Sequence, residues 1–200
     1  MIKKKSKFRE YTEAIIIALL LALLIRTFVI QAFKIPSGSM LPTLTIGDHL
    51  LTNKFIYGIR IPFVSGRFLV FKEPQRGDII VFEYAEDPKR DFIKRVVAVG
   101  GDKIEIKNKM VYVNDKPINE PYVIHKDRGI EMGTRDNLNR RIVPEGKFFV
   151  MGDNRDQSHD SRFWGYVDFN SIKGKAFIIY WSWDSDENWI RWWRIGQPIY

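Results

Sequence analysis

Positions 14–33 form an apolar run long enough to cross a lipid bilayer, and no other feature restricts the fold as much. Residues 14–25 are apolar without a break. Arg26 and Thr27 interrupt, and Phe28-Val29-Ile30 and Ala32-Phe33 continue the run. As a helix, about 20 residues span about 30 Å, the thickness of a hydrocarbon core. Arg26 would be costly at mid-bilayer but can snorkel to an interface. Ahead of the run stand Lys3, Lys4, Lys5, Lys7 and Arg9 against a single acid, Glu10, so residues 1–10 carry half of the net charge of +8. Basic residues before an apolar segment orient it with that end in the cytoplasm. The expected organisation is a basic cytoplasmic tail at 1–13, a transmembrane anchor at 14–33, and an extracytoplasmic domain at 34–200. A cleaved leader has the same polarity. This run is long for one, and Lys34-Ile35-Pro36 follows it rather than a small-x-small cleavage site.

Composition removes several classes of chemistry. The chain has no cysteine, which excludes disulfides, cysteine-ligated metals and a cysteine nucleophile. The three histidines (His49, His125 and His159) lack metal-ligand spacing, so neither a metal nor another cofactor is expected. Beyond residue 10 basic and acidic residues are interspersed and form no basic stripe, which argues against nucleic acid as a partner. Roughly 165 residues after the run are enough to bury one core.

That remainder reads as mainly β. Short runs rich in β-branched and aromatic residues lie at 48–55, 78–84, 92–99, 103–106, 110–113, 148–151 and 176–183, punctuated by Gly, Pro, Asn and Asp. Asn108-Lys109 between two of them predicts a hairpin turn. Residues 115–147 are polar and irregular, and the stretch 103–147 is expected to hold a short insertion or mobile loop. Five of the six tryptophans (Trp181, Trp183, Trp189, Trp192 and Trp193) gather at the carboxyl end with Arg191 and Arg194. That composition suits a membrane–water boundary or packing on the β core.

Three stretches carry candidate chemistry. Ser39 lies in Pro36-Ser37-Gly38-Ser39-Met40-Leu41-Pro42-Thr43, where Gly38 permits close approach of a ligand and two prolines restrict the backbone. The same composition describes a plain connector. Lys94 lies in a strand pattern, sharing one face with Phe92, Val96 and Ala98, and both faces are largely apolar. Desolvation would lower its pKa and free the amine to accept a proton. Alternatively, its stem packs and its ammonium snorkels out. Residues 152–162 read either as a polar network that props a catalytic group or as a turn with a surface Asp160–Arg162 bridge of little value.

Four motifs taken together resemble the type I signal peptidase family, also called the bacterial leader peptidases. They are Ile35-Pro36-Ser37-Gly38-Ser39-Met40-Leu41-Pro42-Thr43-Leu44, Arg76-Gly77-Asp78-Ile79-Ile80-Val81-Phe82, Phe92-Ile93-Lys94-Arg95-Val96, and Met151-Gly152-Asp153-Asn154-Arg155 through Ser158-x-Asp160-Ser161-Arg162. The resemblance implies a domain of coiled antiparallel sheets behind one transmembrane helix. It implies a serine endopeptidase that removes signal peptides with small residues at −1 and −3 from secretory precursors at the bacterial plasma membrane. Ser39 would be the nucleophile and Lys94 the general base. The Ser37 hydroxyl and the Ser39 N–H would form the oxyanion hole. Ser158 would hydrogen-bond Lys94, with Asp160, Arg162 and Arg95 as structural support. Phe33, Ile35, Leu50, Val81 and Ile93 would line the substrate pocket. Partners would be precursor proteins and membrane lipid. The chain departs from some members in its short insertion and in having one anchor segment.

Rival readings remain at this point. A self-cleaving Ser/Lys protease would use the same dyad on its own linker. A penicillin-binding acyl enzyme needs S-x-x-K, which does not occur here. A Ser-His-Asp enzyme would use His159. A binding domain without chemistry would be indifferent to loss of Ser39.

Overall fold

The computed structural model describes residues 7–58 and 66–200. Lys3, Lys4 and Lys5 of the basic tail lie outside the described residues. Helix α1 runs over Lys7–Leu24 and continues as a π-helical turn over Ile25–Val29, and none of these residues is buried. The 23 residues Lys7–Val29 are long and apolar enough to cross a membrane. A helix apolar on all sides with nothing of its own protein packed around it is what a lipid environment accommodates.

The helix stops four residues short of the end of the apolar run. Ile30–Lys34 is strand β1, paired antiparallel with β2 (Asp48–Asn53) from Ile30↔Asn53 to Lys34↔His49. Lys54 closes the helix end: its N–H donates to the Val29 carbonyl at 2.9 Å and its Nζ to the Thr27 carbonyl at 2.6 Å. These are two of the carbonyls that a helix terminus leaves without partners. Arg26 falls in the last turn, where an interfacial position is least costly.

The remaining strands are β3 (Ile79–Tyr84), β4 (Asp87–Val99), β5 (Lys103–Lys107), β6 (Met110–Val113), β7 (Lys116–Pro117), β8 (Leu138–Ile142), β9 (Lys147–Met151), β10 (Val167–Asp168), β11 (Ile172–Asp184) and β12 (Trp189–Ile190). Among the described residues they form two sheets. The larger runs β1-β2-β11-β3-β4-β9-β10, with β12 added to β11, and the smaller runs β7-β6-β5-β8. The strand pairs are antiparallel, as expected of a mainly β domain. The Asn108-Lys109 turn joins β5 to β6 with both residues at positive φ, the twist a two-residue hairpin needs. The 115–147 stretch is not wholly irregular. It supplies β7 and the edge strand β8, whose four exposed residues, Asn139 to Ile142, hide the usual alternation.

Three packed clusters hold these layers. One joins the sheets through Val97, Ile104, Val111, Leu138 and Phe149. One lies under the serine segment with Met40, Leu44, Leu50 and Ile179. The third contains Ile80, Phe82, Val96 and Val150. Neighbouring Ile79 and Ile80 belong to different clusters, so β3 is buried on both faces. That is why it reads as an unbroken apolar run.

Candidate active site

The segment that carries Ser39 is a loop between two paired strands. Past β1 the ladder closes with Ile35 N–H to Asp48 O at 2.8 Å and Gly47 N–H to Ile35 O at 3.0 Å. Ser37 is extended, and Gly38–Met40 then makes one 3-10 turn. Met40 and Leu44 are fully buried and pin this turn to the core, while Ser39 remains partly accessible. Lys94 projects from β4, where Ile80↔Lys94 and Val81↔Ile93 are cross-strand neighbours. Its Nζ lies 2.8 Å from Ser39 Oγ and 3.0 Å from the Ile93 carbonyl, with the Phe92 ring 5.5 Å away.

Lys94 is only 5 % exposed. Burial lowers its pKa from the ordinary lysine value to about 8, against the pull of the Asp160 and Asp153 charges, and the Arg162 charge adds to the lowering. About a tenth of Lys94 is then neutral at pH 7, far more than for an ordinary lysine, and a neutral amine beside a hydroxyl can take its proton. His159 stacks on Phe163 at 5.3 Å, and His125 sits against Asp156. The base within hydrogen-bond reach of Ser39 Oγ is Lys94.

Behind the pair stands a buried polar network. Arg95 holds Asp153 through two bonds of 2.9 and 2.7 Å and spends a further nitrogen on the Gly77 and Tyr200 carbonyls. The Thr43 hydroxyl donates to the same carboxylate. Asp160 caps the short helix α2 (Ser161–Trp164), accepts the Gly152 N–H at 3.1 Å, and binds Arg162 through bonds of 2.8 and 2.9 Å. Arg162 also donates to the Arg155 and Arg135 carbonyls. The surface-bridge alternative fails, because both Asp160 and Arg162 are buried and fully partnered. Buried charges persist only when paired and hydrogen-bonded in this way.

One expected contact is absent. Ser158 Oγ is buried and has no hydrogen-bond partner, so it does not hydrogen-bond Lys94. Lys94 turns toward Ser39 Oγ and the Ile93 carbonyl instead. Ser37 is exposed, two positions before Ser39, and its side chain caps nothing. The expected pocket residues fall into cross-strand pairs, Phe33↔Leu50 and Val81↔Ile93. Ile35, Leu50 and Val81 are buried, whereas Phe33 and Ile93 are half-buried and pack on the cluster that contains Ile35 and Leu50. A cavity of about 510 Å³ lies on Lys34, Ile35, His49, Trp181 and Trp183, and shares only Ile35 with that set.

Two residues that carry no individual signal in the sequence meet the backbone of Ser39. Asn154 donates its N–H to the Ser39 carbonyl at 3.1 Å and its side-chain amide to the Gly38 carbonyl at 3.0 Å. A Cβ on Gly152 would lie 2.4 Å from the Ser39 carbonyl oxygen and 2.3 Å from Ser158 Oγ. Both are in the 151–162 motif, but linear spacing does not show that the motif folds onto the backbone of Ser39. Among the described residues no cluster of His, Cys, Asp or Glu could hold a metal ion.

The family model described as signal peptidase, peptidase S26, matches residues 8–181. The chain belongs to this family. Signal peptidase I of Pseudomonas aeruginosa is 36 % identical over 91 % of this chain and 75 % of its own length. The signal peptidase I of Aquifex aeolicus is 35 % identical over 87 % and 84 %, and that of Leptolyngbya laminosa 38 % over 90 % and 82 %. A crystal structure of a signal peptidase I from Enterococcus faecalis aligns with a TM-score of 0.44 at 30 % identity, over 52 % of this chain and 97 % of that one. Membership of the signal peptidase family makes the chain a serine peptidase that removes signal peptides from secretory precursors.

Proposed function

We propose that Ser39 and Lys94 form the catalytic dyad of this signal peptidase. The observation that carries the reading is the 2.8 Å separation of Lys94 Nζ and Ser39 Oγ at a buried, pKa-lowered lysine. Neutral Lys94 takes the hydroxyl proton as Ser39 Oγ attacks the scissile carbonyl. The Ser39 N–H and the Ser37 hydroxyl hold the oxyanion, a role worth about 3–4 kcal/mol for one donor in a studied protease. The Lys94 ammonium then protonates the leaving amine, and water hydrolyses the ester on Ser39, so that one difficult step becomes two easier ones. Asp160, Arg162 and Arg95 support the site from behind, and Ser158, which makes no bond to Lys94, bounds it by packing under Gly152.

In this reading the helix ending at Val29 lies in the bacterial plasma membrane with its amino end in the cytoplasm. Ser39 follows ten residues later on the outer side. The half-buried Phe33 and Ile93 front a shallow apolar wall backed by Ile35, Leu50 and Val81, which admits small residues at −1 and −3 and rejects bulk. Overfilling such a wall costs about 1–3 kcal/mol or more. The test is cleavage of a precursor with an Ala-x-Ala site by the detergent-solubilised full chain. Ser39→Ala and Lys94→Ala should each abolish it, the double variant should be no worse, and Leu at −1 should block it. A Lys94→Ala enzyme that still cleaves would overturn the dyad.

A further inference from the structure

The segment that leaves the small sheet after β7 does not wander. Ile118 N–H bonds the Val111 carbonyl of β6 at 3.0 Å, and the chain then crosses to the loop after β9. There Ile124 pairs in parallel with Asn154: its N–H donates to Asp153 O at 3.0 Å and its carbonyl accepts from Arg155 N–H at 3.1 Å. Glu120 takes both terminal nitrogens of Arg155, at 2.8 and 2.5 Å, with both side chains nearly excluded from solvent. The Arg155 Nε meanwhile donates to the Gly152 carbonyl at 3.2 Å. The Tyr122 ring lies 3.8 Å from the guanidinium carbon of Arg95, and its hydroxyl donates to Glu120 at 3.2 Å.

These contacts converge on three residues, 153–155, that have one face on the strap and the other on the serine turn. Asn154 sits between, held by Ile124 on one side and bonded to the carbonyls of Gly38 and Ser39 on the other. Those carbonyls belong to the two peptide units that flank the Ser39 α-carbon, the first of which contains the Ser39 N–H, so their placement sets where the Ser39 N–H and hydroxyl point. We propose that Glu120 and Tyr122 are positioning residues for Ser39, acting through the 152–155 loop; this rests on the reading of Ser39 as nucleophile. Neither touches the reacting atoms. Glu120 neutralises and orients Arg155, which ties down Gly152, and Tyr122 seats the Arg95–Asp153 pair. The strap that the sequence presents as an insertion thereby becomes the outer half of a clamp on the catalytic backbone.

The test measures kcat and KM of the full-length, detergent-solubilised chain on an Ala-x-Ala precursor, well below the melting temperature of each variant. Glu120→Gln keeps the shape but leaves Arg155 without its counter-charge. Tyr122→Leu removes the ring, and Tyr122→Phe retains it over Arg95. Glu120→Gln and Tyr122→Leu should lower kcat about 10- to 100-fold, the loss typical of a small displacement transmitted to the reacting groups. KM should stay within about twofold, because ground-state binding is not removed. Tyr122→Phe should recover most of the rate lost in Tyr122→Leu. If Glu120→Gln fails to fold, the Tyr122 pair decides. Variants that melt lower yet keep the wild-type kcat, or a loss confined to KM, would overturn the proposal. Cleavage by Ser39→Ala would instead defeat the reading of the nucleophile on which it rests.

Discussion

Replacing Gly152 by alanine should disable the enzyme through one methyl group. The added Cβ would meet the Ser39 carbonyl oxygen at 2.4 Å, where an ordinary contact begins at 3.4 Å, so one of the two backbones must yield by about 1 Å. Neither can yield cheaply. The Gly152 N–H is bonded to buried Asp160, and the Ser39 carbonyl is bonded to Asn154. Overpacking of this kind costs about 1–3 kcal/mol in stability. The cost to catalysis should be larger relative to that, since a 1 Å misplacement of a reacting group can reduce the rate about a hundredfold. The second clash, at 2.3 Å, is with Ser158 Oγ, a side chain rather than backbone. The double variant Gly152→Ala/Ser158→Gly removes that clash and leaves the one with Ser39. It should regain the part of the melting temperature lost to the Ser158 clash without regaining kcat. Thermal melts and steady-state precursor cleavage, measured on the same preparations, separate the two effects. If Gly152→Ala folds and cleaves at the wild-type rate, the close approach to Ser39 does not have the significance argued here.

The remaining expectations concern protons and charges. With Lys94 as the proposed base and its pKa lowered by burial to about 8, kcat/KM should rise through that pH; a profile rising near pH 6.5 would point to a histidine instead. The sign for stability runs the same way. A lysine lowered in the folded state disfavours folding below about pH 8, and the penalty fades as pH climbs toward the ordinary lysine value. Lys94→Met should therefore be inactive yet melt higher than wild type at pH 7, with the gap closing toward alkaline pH. Ser37→Ala should lower kcat about a hundredfold at nearly constant KM, and Ser37→Thr should keep part of the rate; equal small effects would reduce Ser37 to a turn residue. Asp160→Asn should cost about 3–5 kcal/mol in denaturant melts, since it leaves the buried Arg162 charge without its partner.

Local features were legible in the sequence to the extent that their causes were local. The Asn108-Lys109 hairpin follows from two residues that tolerate positive φ between two alternating runs. β3 follows from an apolar stretch bounded by Asp78 and Glu83. Ile30 to Phe33 continue the apolar run in the sequence because lipid and a sheet select the same large apolar side chains, and only pairing with β2 distinguishes them. β8 leaves no strand signal in the sequence, because an edge strand with Arg140 and Arg141 exposed has no apolar face to display. Ser39 and Lys94, 55 positions apart, are linked in the sequence only by resemblance to a family, since spacing along a chain does not predict a 2.8 Å contact between a loop turn and a distant strand. The Arg95–Asp153 and Glu120–Arg155 pairs are not legible in the sequence at all, because each joins residues that only the fold brings together. Ser158 shows the opposite limit. Its place in a motif suggested a bond that the lysine's own geometry directs elsewhere.

The joint between helix and sheet has a consequence for entropy. β1 begins at the residue after the helix ends, and Lys54 fastens two of the last helical carbonyls to the strand next door. No linker residue separates the two elements. A flexible tether would let the serine turn sample many heights and tilts above the lipid, and every encounter with a membrane-held precursor would have to freeze them out again. On the proposed placement of α1 in the membrane, a direct helix-to-strand joint does that ordering during folding rather than at each turnover. With α1 placed in the membrane as proposed, the anchor would confine the enzyme to the surface and also present Ser39 at one altitude.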